Sequence, residues 1–205
     1  MLPGFIRHGE QEVNENVFKF TDSIAERTHL HHGRPCLFGM AAMLFFAATH
    51  SWAADVYQSP DAFLAETFAG QPPAPKMLWL TDAMQERVVS ILGHKYPAMR
   101  LRYWEQEKRS AWILEEIGKE EPITAGIVVD AGRIERMRVL IFRESRGDEV
   151  RYPFFTRQFE GAELKPDMRL DRHIDAISGA TLSVRALERL ARLALYLDGK
   201  ARGSP

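Results

Sequence analysis

Two stretches in the first half of the chain place apolar residues at helical spacing between clear start and stop signals. The run Ser59-Pro60-Asp61 supplies a capping hydroxyl, a proline at the first helical position and an acid in the first turn. Gly70 ends that pattern, and a second one extends from Thr81 to Gly93. The sequence therefore predicts two short helices separated by a proline-rich connector.

From Met99 onward apolar residues alternate with polar ones, as in a half-buried strand. A polar turn then leads to a second apolar run at 111–114. Two further β-rich segments, 123–129 and 134–142, are joined by Asp130-Ala131-Gly132-Arg133. The glycine gives this linker access to the positive φ that a tight hairpin needs. We therefore expect a meander of strands.

A final helix is predicted from about Leu182 to Leu197, where apolar residues repeat on one face at helical spacing. Helices followed by strands and another helix are typical of an α+β fold, here an antiparallel sheet with flanking helices. We expect a single domain after an N-terminal signal segment. Residues 1–53 would be the leader and signal, and residues 54–110 a helical and strand part.

The composition indicates a folded protein without a polyanionic partner. Hydrophobic residues make up 45% of the 205-residue chain and charged residues 27%, which provides apolar material for a packed core. The formal net charge is -1, and the sequence has no Lys/Arg-rich run. We therefore expect no nucleic-acid partner.

An uncharged apolar run at 37–49 precedes the first predicted helix, and small residues at Ser51 and Ala53 fit a signal-peptidase site. The run is shorter than the ~18 apolar residues that span a bilayer, so we expect a cleaved signal and a periplasmic protein. An uncleaved run would instead associate the protein with the inner membrane. Residues 1–29 are polar and too long for the leader of a signal, which favours a true start codon near Leu30.

The chain has one cysteine, Cys36, and it lies before the apolar run. A protein cut after Ala53 would contain no thiol, which excludes disulfides, thiolate-ligated iron–sulfur clusters and a CxxCH haem site. Redox chemistry would then require an organic cofactor or a metal site built from His and carboxylate ligands.

The segment most informative about chemistry reads DRHIDAISGATLS, from Asp171 to Ser183. Its Ser178-Gly179-Ala180-Thr181 portion is a turn of small residues that leads directly into the last predicted helix. Unpaired amides at a helix start favour a phosphate, and glycine leaves room for its close approach. The alternative interpretation is that Ser178 or Thr181 only caps the helix.

This segment resembles the flavinylation motif of the FMN-binding domain family, which includes the covalent-flavin subunits of sodium-pumping NADH:quinone oxidoreductase and of the Rnf complex. In that family an Asp precedes an S/T-G-A-T core, and the last Thr of the core carries FMN through a phosphodiester bond. Residues 126–147 resemble the family's strand–turn–strand segment, with Glu144-Ser145-Arg146-Gly147 where a Glu-Thr-Pro-Gly-like turn is usual. Residues 155–161 resemble its F…QF.G stretch.

The resemblance implies that residues 111–200 form an FMN-binding domain with FMN covalently joined to Thr181. The other implied cofactor-binding residues are Asp175, Ser178, Gly179, Ala180, Leu182, Glu144 and Gly147. A separate Mg²⁺-dependent flavin transferase would move FMN from FAD onto the hydroxyl. The implied role is electron transfer with a membrane redox donor or acceptor protein, and no metal is expected to stay bound to this chain.

Two other functions fit the same residues. One is a stand-alone flavin reductase acting on a small acceptor such as a ferric chelate or a quinone. The other is a non-redox interaction module in which the turn is only a helix cap.

Some residues outside the motif have more than one interpretation. The rings of Phe154 and Phe155 fit either a flavin contact or the core, and the core is the commoner place for an aromatic side chain. His173 has no second ligand beside it, so a structural or solvent-facing position is expected. The acidic pairs Glu115-Glu116 and Glu120-Glu121 predict a solvated turn around Gly118.

Overall fold

The computed structural model describes residues 54–203, and the predicted signal segment and start codon lie outside that range. The helices are α1 (Pro60–Thr67), α2 (Asp82–Leu92), α3 (Pro153–Thr156) and α4 (Thr181–Ala201). The strands are β1 (Asp55–Val56), β2 (Lys76–Trp79), β3 (Arg100–Gln106), β4 (Arg109–Ile117), β5 (Pro122–Asp130) and β6 (Arg133–Phe142). Short 3₁₀ turns flank α3 at Asp148–Arg151 and Arg157–Phe159. Within residues 54–203, no helix combines the length and apolar character needed to cross a bilayer.

The six strands form one antiparallel sheet in the order β1-β6-β5-β4-β3-β2. β4 and β5 pair from Arg109↔Asp130 to Ile117↔Pro122. The two-residue turn between β5 and β6 has positive φ at both Ala131 (48°) and Gly132 (80°), so it has the backbone of the predicted hairpin. The architecture confirms the α+β class with an antiparallel sheet and flanking helices.

Helices pack on both faces of the sheet. α4 and α2 cover the larger core, into which the β4 side chains of Trp112 and Leu114 point at 0% and 1% exposure. α1 covers the opposite face, where Phe63 is fully buried. Phe63 lies directly over Gly126, because a Cβ added there would come within 2.7 Å of its ring.

Charged side chains attach α4 to the sheet through hydrogen bonds at two positions along the helix. Arg189 lies 3.1 Å from the buried carboxylate of Glu116, and Nε2 of His94 lies 3.1 Å from the same group. Near the end of the helix, Ser110 Oγ donates to Asp198 at 2.6 Å. Burial raises the pKa of Asp198, and the serine hydrogen bond opposes that shift. These contacts fix the axial position of the helix.

The structure corrects the prediction for the first acidic pair. Glu115 and Glu116 lie in β4 rather than in a turn, and Glu116 is 3% exposed. It occupies the same face as Trp112 because side chains alternate along a strand. Glu120 and Glu121 do lie in an exposed turn after Gly118, as expected.

Candidate functional site

A tight turn places the predicted acceptor at the start of α4. The Ala180 N–H donates to the Ile177 carbonyl at 3.0 Å, and Gly179 between them has φ 85°. The first helical hydrogen bond follows at once, from the Val184 N–H to the Ala180 carbonyl at 2.9 Å. Thr181 is therefore the first residue of the helix, and its side chain is exposed.

The start of α4 has no side-chain cap. Its N-cap residue is Ala180, which has no hydroxyl or carboxylate to accept an amide, whereas Ser59 and Thr81 cap α1 and α2 at 3.1 and 3.3 Å. The interpretation of Ser178 or Thr181 as the helix cap is therefore wrong. The amides of the first turn remain donors for an external anion at the positive end of a 21-residue helix.

Gly147 packs against this helix start. It is buried with φ 85°, and a Cβ added to it would lie 2.9 Å from Ser183 Oγ and 3.3 Å from Cα of Ala180. The structure thus brings the predicted Gly147 turn and the predicted acceptor segment together. The close approach depends on the missing side chain of Gly147, and Ser183 is 4% exposed.

Glu144 is held by the turn between β4 and β5. Its Oε1 accepts the backbone N–H groups of Glu120 and Glu121 at 2.7 and 3.0 Å, and also that of Lys119. A Cβ added to Gly118 would come within 2.8 Å of the same oxygen. The carboxylate thereby joins the end of β6 to the neighbouring turn. A direct contact of Glu144 with a cofactor stays a prediction.

Asp175 is positioned through its backbone. Its N–H donates to the Gln158 side chain at 2.7 Å, which anchors the segment that leads into the turn at 177–180. The Asp175 carboxylate itself is exposed, and His173 Nε2 lies 3.9 Å from it. His173 is solvent-facing, as predicted, and residues 54–203 contain no cluster of three or more side chains suited to a metal.

Phe154 and Phe155, each predicted to contact either the flavin or the core, occupy different environments. Phe155 is fully buried and packs edge-on against Phe159, with ring centroids 5.6 Å apart, so it belongs to the core. Phe154 is 63% exposed and stacks on Tyr152. Leu182, adjacent to Thr181, is also exposed at 43%. Exposed apolar surface therefore adjoins the helix start at Leu182.

The residues present fit a phosphate-linked group. The first-turn amides lack a cap, nothing lies within 4 Å of a Cβ added to Gly179, and the Thr181 hydroxyl faces solvent. Two contributors were not identified from the sequence: Gln158, which positions Asp175, and Ser183, which contacts the Gly147 turn. Both lie within the motifs, but only the folded chain gives them these roles.

The segment that contains these residues is similar in sequence to a known protein family. Residues 118–196 match the sequence model of the FMN-binding domain family, and every predicted site residue lies in that range. No curated protein and no solved structure matches the chain significantly. Residues 118–196 of this chain therefore have the sequence pattern of an FMN-binding domain.

Proposed function

We propose that this protein is an exported electron-transfer protein that carries FMN covalently, through a phosphodiester to Thr181. The observation that carries the proposal is the uncapped start of α4, with an exposed threonine as its first residue, inside a segment matched by the FMN-binding domain family. An exposed hydroxyl at that position is accessible to a second protein. The helix start also offers a complementary environment for the linked phosphate.

Different residues of the chain would contact different parts of the cofactor. Thr181 supplies the ester oxygen, and the amides of Leu182 and Ser183 are the nearest open donors for the phosphate. Gly179 keeps the space above the turn clear. When bound, FMN supplies electron transfer through its ring, and the protein supplies placement and electrostatics.

Electrostatics alone would not retain the cofactor. A single negative charge at a helix start is stabilised by about 0.3–1 kcal/mol, which corresponds to a few-fold in affinity. A covalent bond retains the flavin even though this electrostatic affinity is weak. It suits a protein that works outside the cytoplasm, where free flavin cannot be drawn on to replace a lost cofactor.

The attachment is assigned to a separate Mg²⁺-dependent flavin transferase. A threonine hydroxyl needs a neighbouring base to become a nucleophile. His173 and Asp175 are the ionisable side chains closest in sequence before the turn, and both are largely solvated. Asp175, Ser178 and Thr181 are all exposed, so a transferase could recognise them together.

The test is the mass of the full chain after co-expression with a flavin transferase. We expect an adduct of one FMN less one water, located by peptide mapping on the tryptic fragment that contains Thr181. Thr181→Val should abolish the adduct, whereas the control Thr181→Ser, which keeps a hydroxyl, should retain part of it. An adduct that persists in Thr181→Val would refute the assignment of the acceptor.

A turnover assay separates the carrier from the alternative flavin reductase. The flavinylated protein would be reduced chemically and mixed with quinones or ferric chelates. A carrier should react with many small acceptors without saturation, because it has evolved to meet a protein partner. Saturation with one acceptor would favour the reductase.

A further inference from the structure

A groove lies far from the acceptor site, between α2, the end of α4 and the segment 163–171. Its volume is about 790 Å³, which is within the range of small-molecule sites. Lys200, on its wall, is about 28 Å along the helix axis from Thr181, at 1.5 Å per residue. A molecule bound here would therefore be distinct from a group joined to Thr181.

The floor of the groove is apolar and includes one tyrosine. Met84 and Leu195 contribute side-chain surface, and the ring of Tyr196 is 6% exposed. Lys200 Nζ lies 5.9 Å from the centroid of the same ring. Burial raises the pKa of Tyr196, so the hydroxyl keeps its proton and remains a donor at neutral pH. A tyrosine combines an apolar ring with a polar tip, so this side chain can contact both parts of a molecule that is partly apolar and partly polar.

Cations surround that floor. Arg87, Lys165 and Lys200 all line the groove. Arg87 is close enough to Tyr196 to lower its pKa in part, against the effect of burial. Among the described lining residues one is acidic, Glu163, and it is neutralised by an ion pair with Arg133. Arg87 and Lys165 therefore add positive charge beside an apolar floor.

The wall formed by segment 163–171 is held in place before any ligand binds. The Lys165 N–H donates to the Arg169 carbonyl at 2.8 Å, and the Met168 N–H donates to the Lys165 carbonyl at 2.9 Å. Arg192 links α4 to α2 through the Ile91 carbonyl at 2.9 Å. A preformed wall lowers the entropy cost of binding.

We propose that this groove binds a small organic anion with a flat apolar body, of the class of aromatic carboxylates. A neutral apolar molecule would leave the Arg87 and Lys165 charges unused, and a small inorganic anion would leave the floor uncovered. An aromatic carboxylate covers the floor with its ring. Its carboxylate accepts from the Tyr196 hydroxyl and from the Arg87 guanidinium.

The test uses 1-naphthoate, its neutral isostere 1-naphthamide, and acetate, each titrated into the ¹⁵N-labelled full chain and followed by NMR. We expect 1-naphthoate to shift amide resonances of α2, the end of α4 and segment 163–171. The amide should bind at least about tenfold more weakly because it loses the charge-assisted hydrogen bonds. Acetate should not compete at equal concentration. Shifts confined to other surfaces, equal affinity for the two naphthyl compounds, or no binding would overturn the proposal.

Variants provide a second readout that does not involve flavin. Arg87→Gln and Tyr196→Phe should each weaken 1-naphthoate binding several-fold, while Tyr196→Phe keeps the ring that packs in the core. The matched control is Arg185→Gln, an exposed arginine near the other end of α4, and it should leave the affinity unchanged. Equal loss in the control would show that only general charge attraction operates. The same titration on chain lacking FMN should give the same affinity.

Discussion

Replacing Gly147 by alanine should weaken both the fold and the loading of Thr181. The left-handed backbone of Gly147, with φ 85°, costs a non-glycine residue about 1–2 kcal/mol. The new Cβ would also lie 2.9 Å from Ser183 Oγ and 3.3 Å from Cα and Cβ of Ala180, in a buried contact. Overpacking of this kind costs about 1–3 kcal/mol. The expected loss in unfolding free energy is therefore about 2–5 kcal/mol.

Gly179→Ala is the matched control for that substitution. Gly179 has the same φ of 85°, but nothing lies within 4 Å of an added Cβ. It should therefore lose only the backbone term, about 1–2 kcal/mol. Urea unfolding of the full-length variants, followed by circular dichroism, measures both losses under the same conditions. Equal destabilisation by the two substitutions would refute the packing of Gly147 against the start of α4.

The same pair of variants reports on function. Gly147→Ala pushes on Ala180 and Ser183, which flank the proposed acceptor Thr181, so the fraction of chain carrying FMN after co-expression with a transferase should fall. That fraction is measured by intact mass under conditions where the variant remains folded. Full loading of Gly147→Ala would show that the transferase tolerates a displaced helix start.

Three further predictions concern the framework beneath the site. Phe63→Ala should cost about 3–5 kcal/mol in unfolding free energy, because the ring is fully buried over Gly126; a loss below about 1 kcal/mol in urea unfolding would contradict that packing. Ser110→Ala should cost about 1–3 kcal/mol, since Trp112 Nε1 and the Asp198 carboxylate each lose a buried partner; the same assay measures this, and a neutral result would contradict it. The hydrogen bond to the Lys95 carbonyl and the nearby Glu116 raise the pKa of His94, so its charged form stabilises the fold below the ordinary histidine pKa. That contribution disappears as pH rises through the raised value, so the stability difference between wild type and His94→Gln should shrink as the pH rises from below the ordinary histidine pKa of about 6.5 to above the raised one; a difference independent of pH would refute it.

Elements with strong local signals could be predicted from the sequence. Both α1 and α2 begin after the expected hydroxyl caps, Ser59 and Thr81, and the hairpin turns at Ala131 and Gly132. β2 was not predicted because Lys76–Trp79 is a short edge strand with mostly exposed side chains, so it has no buried face to reveal it. α3 spans only four residues, which is too short for a periodic pattern.

Long-range contacts explain why other features were missed. Alternation along β4 places Glu116 on the core face, but its partner Arg189 is 73 residues away in sequence. The motif around Thr181 could be recognised in the sequence. Whether the helix start is capped could not, because it depends on Ala180 being the N-cap in the folded chain. The lining of the distal groove comes from segments that are far apart in the sequence, so no local pattern could predict it.

The attachment of α4 to the sheet has a consequence for electron transfer. The helix is held by Arg189 at mid-length and by Asp198 near its end, and Gly147 packs on its first turn. A prosthetic group esterified at Thr181 would inherit that rigidity, with freedom left only in the torsions of its own linkage. Tunnelling distance to a redox partner would then be set by how the two proteins dock, and fluctuations of the surface loops would contribute little to it.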